Sequence, residues 1–153
     1  MIGLALTPEQ FKALLRMVYI ANTIANGHRD DGDFLKEYDD LEQYVFSRAK
    51  EAGYPGATEH HKIDGEEHHH PSPMFENDPE VNKLLDAYDF ASAFELLAEK
   101  LAERDLEKKY GPVAKDRMPG KDYDELLEER SLEYEQEFAS HAFERVRIEG
   151  MLE

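Results

Sequence analysis

A chain of 153 residues is the size of one ordinary domain and carries enough apolar residues, 41%, to build a core. Eighteen bases against 35 acids give a formal charge of -17, which sets the long-range field against nucleic acid and anionic membrane surfaces. With no cysteine there are no disulfides, thiolate metal sites or cysteine nucleophiles, so any metal must be held by nitrogen and oxygen.

The start, Met1 to Leu6, is apolar but lacks the basic flank and the length of a signal peptide, and a cytoplasmic location is expected. The first helix is well marked. Thr7 suits its cap, Pro8 its first position, and Gln10 completes a capping box, so it should run from Pro8 to Asn26 and end at Gly27. Phe11, Leu14, Leu15, Met17, Val18, Ile20, Ala21, Ile24 and Ala25 cover well over half of its circumference. A helix so apolar is either central or shared with a second subunit. Asn22 falls beside Phe11 and Val18 and, if buried, needs partners.

A second helix is expected from a cap at Asp33, with Phe34, Tyr38, Leu41, Val45, Ala49 and Ala52 on one face, stopping at Gly53 and Pro55. Residues 53–78 then read as a long loop holding five of the seven histidines. Loops of this length are usually functional or disordered. His60, His61, His68, His69 and His70, interleaved with Glu59, Asp64, Glu66 and Glu67, form a ligand set suited to zinc or nickel. Adjacent histidines cannot all point at one ion, however. The competing accounts are a solvated polar loop and a proton-responsive one.

Asp78 and Pro79 open a third helix with Leu84, Ala87, Phe90, Ala91, Phe94, Leu97, Ala98 and Leu101 on its apolar face, reaching Tyr110 unless it breaks near Arg104. If unbroken, it should pack against another chain. After an irregular stretch, Asp122 and Glu125 form a second capping-box signature for a last helix carrying Tyr123, Leu127, Tyr134, Phe138, Ala142 and Val146 on one side. No strand-like alternation stands out. The expected fold is all-α, a single domain resembling a four-helix bundle with a long loop between helices 2 and 3.

Two further acid constellations bear on chemistry. Glu37 and Asp40, and Asp86 and Asp89, lie three apart on the second and third helices, so each pair projects from one side. Facing one another they would hold magnesium before a phosphorylated substrate. In those four residues, without a fuller acidic motif, the pattern resembles the all-helical nucleotide pyrophosphatases, and the resemblance implies a magnesium-dependent phosphohydrolase. The alternative is a solvated helix face. On the last helix Glu137 stands four before His141 and is placed to orient it as a metal ligand or to hydrogen-bond it. No glycine-rich phosphate loop, nucleophile elbow or zinc-protease motif is present. The reading favoured by these residues is a non-enzymatic helical protein acting through association, as a homodimer or with a basic protein partner, with the histidine segment as an accessory element.

Overall fold

The computed structural model describes residues 3–30, 32–63, 65–112 and 114–147. Asp64, one of the acids grouped above with the histidines, lies outside the described residues. The chain is mostly helical with one two-stranded sheet, and it divides into two compact units, Met1–Asp86 and Ala87–Glu153. Among the described residues no helix is long and apolar enough to cross a membrane.

In the first unit, α1 spans Pro8–Asn26 as its sequence dictates. Thr7 Oγ1 accepts from the Gln10 amide at 3.3 Å while Gln10 Oε1 accepts from the Thr7 amide at 2.9 Å. Two of the amides left unpaired at a helix start are thereby satisfied. The second helix corrects the expectation. α2 spans Lys36–Ser47, begins after Leu35 with no side-chain cap, and gives way to turns through Gly53. Asp33 does not cap it and instead pairs with Arg29 at 3.2 Å. The reason lies in α1: Asn26 Oδ1 accepts the Leu35 amide at 2.8 Å and Asn26 Nδ2 donates to the Leu35 carbonyl at 3.1 Å. A long-range clamp on Leu35 thus takes the place of the local cap.

The core of this unit gathers Leu15 from α1, Val45 and Phe46 from α2, then Ala49, Ala57 and Phe75. Phe75 presents its ring edge-on to Phe46 at 5.0 Å and to Tyr19 at 5.7 Å, the geometry that aromatic quadrupoles prefer. Phe75 is delivered by α3, Pro73–Glu76, whose cap Ser72 accepts from the Phe75 amide and donates to the Gly56 carbonyl at 2.6 Å.

The segment expected as a loop is the main departure. β1, Thr58–Ile63, and β2, Glu66–Pro71, pair antiparallel in a hairpin, with His60 opposite His69 and His61 opposite His68. Gly65 turns it at φ +92°, a conformation that costs glycine nothing.

α4 spans Pro79–Tyr110 and starts, as expected, behind Asp78, whose carboxylate accepts the Glu80 amide. It runs through Arg104 without a break. In the second unit α5 covers Ala114–Arg117 and α6 covers Gly120–His141. α6 begins two residues before its expected cap, so Asp122 sits inside the first turn, with its amide bonded to the Pro119 carbonyl at 2.9 Å. Phe94 of α4 packs on Phe138 of α6, while Leu106 packs near Tyr123, so the two helices run antiparallel. α6 ends where Ala142 takes φ +47° and the chain turns Phe143 back against Phe94 at 4.6 Å.

Candidate functional site

Strand geometry decides what the histidines can do together. Directly opposed residues of an antiparallel pair share a face, and neighbours along a strand do not. His60 and His69 therefore form one set, their rings stacked 5.5 Å apart, and His61, His68 and His70 form the other. In the second set His68 stacks on His70 at 6.1 Å and His61 lies 6.5 Å from His70, with Glu59 3.5 Å from His61 Nε2. His68 Nδ1 lies 3.2 Å from Gln43 Oε1, and Gln43 Nε2 donates to Asp39 at 2.6 Å, which ties the hairpin to α2. Among the described residues no three histidine, aspartate or glutamate side chains are grouped so as to hold a metal ion.

The acid pairs stand as follows. Glu37 and Asp40 lie on α2, where Asp40 is paired with Lys36. Asp86 is the last residue of the first unit and Asp89 belongs to the second. These four carboxylates are not among any metal-holding group in the described residues. On α6, Glu137 Oε1 comes within 3.3 Å of His141 Nδ1 without hydrogen-bond geometry, and its two oxygens are engaged by Arg145 at 3.1 and 3.2 Å. The expected hydrogen bond between His141 and Glu137 is not formed, and the Glu137 carboxylate accepts from the charged Arg145 guanidinium instead.

A strongly perturbed carboxyl lies outside the constellations that the sequence suggests. Glu42 is only 4% exposed, at the seam between α1 and α2. Its Oε2 accepts from Asn22 Nδ2 at 3.0 Å, and Asn22 Oδ1 accepts from Asn26 Nδ2 at 2.7 Å. The carboxyl borders an open cleft of about 480 Å³ that Tyr19, Asp39, His70 and Glu76 also line. Burial pushes the Glu42 carboxyl up to about 7, the Asn22 hydrogen bond opposes this, and the negative charges of Asp39 and Glu76 add to it. Burial, with Glu76 beside it, likewise raises the Tyr19 hydroxyl. Such a carboxyl takes up and releases a proton near neutrality, the property of a general acid or base, but it stands here between two helices. Its sequence signal was positional: Glu42 falls four after Tyr38 and three before Val45, inside the apolar stripe of α2. No family model, no curated protein and no solved structure matches the chain.

Proposed function

We propose that this protein works by association with a second copy of itself through the outer face of α1, with the histidine hairpin as an accessory element. The observation that supports this reading is that α1 has two apolar faces. Leu15, Phe11, Val18 and Tyr19 enter the core. On the opposite side, Ala13, Met17, Ile20 and Ile24 follow one another at helical spacing, and Met17 is 67% and Ile24 43% exposed. An apolar stripe along a surface helix is the feature that a symmetric, self-complementary contact buries.

The absence of cysteine makes the test clean. Single cysteines introduced at Ala13, Met17, Ile20 or Ile24 should, on mild oxidation, give a disulfide-linked dimer for at least one stripe position, because residues near a two-fold axis meet their own mates. Lys50→Cys, exposed but off the stripe, should stay monomeric. No cross-linked dimer from any of the four stripe positions overturns the reading.

A further inference from the structure

The second unit carries a surface of a different kind. Along one flank of the α4–α6 pair, Phe90, Phe94 and Phe138 line an open groove of about 470 Å³, with Ala91 and Ala139 leaving room between them. The rings are ordered against one another: Phe90 meets Phe94 edge-on at 4.2 Å, and Phe94 stacks on Phe138 at 5.1 Å. Phe143 closes over Phe94 from the turn after α6. Phe94 and Phe138 are buried, but Phe90 is 54% exposed. Two antiparallel helices bury only the seam between them, and a helical layer covers its flank only when a further helix lies in it.

The charge around this groove restricts what that helix is. The lining holds two ionisable groups, Glu95 and Glu135, and both are acidic. Residues 87–153 carry 18 acids against 10 bases. Two of those bases are already engaged by acids, Arg145 by Glu137 and Arg130 by Asp105.

We propose that the α4–α6 groove docks an amphipathic helix of a partner protein, one whose apolar stripe is flanked by lysine or arginine. The apolar side chains of that helix, at spacings of three and four, fill the space beside Phe90 and Phe94, and its basic flanks meet Glu95 and Glu135. This contact lies in the other unit from the α1 stripe and stands whether or not α1 pairs with its copy.

The probe is a fluorescein-labelled synthetic helix of about 18 residues, five turns, with leucine at helical spacing and lysine elsewhere, titrated into the full chain by fluorescence anisotropy. A scrambled peptide of the same composition carries the same charge without the stripe. The expected result is binding of the patterned helix that exceeds the scrambled one by about tenfold or more and is weakened about as much by Phe90→Ser. Because Phe90 is half exposed, that variant should stay folded, with an unchanged far-ultraviolet circular dichroism spectrum and only a small fall in thermal midpoint. Glu95→Lys with Glu135→Lys should weaken binding and flatten its salt dependence while leaving the apolar wall intact. Equal binding of the scrambled peptide, or no effect of Phe90→Ser, overturns the proposal. So does a fall in the mass of the unliganded protein caused by Phe90→Ser, since the occupant is then a second copy of the chain.

Discussion

Glu42 accepts a hydrogen bond from Asn22 at 3.0 Å across the α1–α2 seam, and no cation among the described residues is paired with it. A buried carboxylate with one neutral donor is better off protonated. Its folded pKa, about 7, lies above the ordinary 4.5, so the fold binds this proton more tightly than the unfolded chain does. The stability it contributes is full below pH 4.5 and is lost as pH rises through about 7.

Glu42→Gln keeps the shape and the acceptor for Asn22 but removes the charge. At pH 8 the variant should be more stable than the natural chain by up to about 3 kcal/mol, and the difference should close by pH 4.5. Urea unfolding at several pH values checks this. A difference of constant size from pH 4.5 to 8 refutes the assignment.

Asn26 clamps the start of α2. Asn26→Leu strands both backbone groups of Leu35 and removes the donor to Asn22 Oδ1, and it should cost about 3 kcal/mol, several times what an exposed helix substitution costs. The amide of Leu35 should lose its protection from hydrogen exchange. A variant with natural stability and a protected Leu35 amide shows that the clamp is idle.

The second unit has the opposite pH response. Burial alone would raise the Asp105 carboxyl, but hydrogen bonds from Tyr134 at 2.6 Å, from Arg130 at 2.6 and 3.1 Å and from Arg104 at 2.9 Å hold it well below the usual carboxylate range. A depressed pKa gives stability that is present above the unfolded value, 3.8, and lost as pH falls below it. Asp105→Asn should therefore destabilise the chain at pH 7 by about 1–3 kcal/mol, and the difference should shrink progressively as the pH falls below 3.8. Equal stability at pH 7 contradicts this.

Gly65 turns the hairpin at φ +92° with open space around its missing Cβ. Gly65→Val puts a β-branched residue in a conformation it strongly disfavours, at a cost of about 1–3 kcal/mol confined to the hairpin. The stacked pairs His60–His69 and His68–His70 should separate, and their ring proton shifts should move together toward those of unstructured histidine. Unchanged shifts would show that the hairpin does not depend on this turn.

How much of this was legible depended on where the decisive interaction lay along the chain. The start and end of α1 could be read because Thr7, Pro8, Gln10 and Gly27 act within a few residues of one another. The start of α4 behind Asp78 was local in the same way. α2 was misplaced because its first turn is clamped by Asn26, nine residues before Leu35, in another helix. The hairpin escaped notice because its strands are built of histidine, glutamate and lysine, with no apolar alternation; the dipeptide Asp64-Gly65 was its one strong local signal. For the same reason the histidines looked like one ligand set in sequence, and pairing divides them into two faces. Glu42 was hidden among 35 acids, and only its place inside the α2 stripe marked it as buried.

The central claim, that the outer face of α1 joins two copies, is tested most directly by the mass of the protein in solution. Sedimentation equilibrium at high micromolar concentration should give about twice the chain mass of 17.7 kDa for the natural protein and the single-chain mass for the Met17→Glu, Ile24→Glu variant, whose altered side chains lie outside the core. A single-chain mass for the natural protein at that concentration, or a dimer that survives both substitutions, contradicts it.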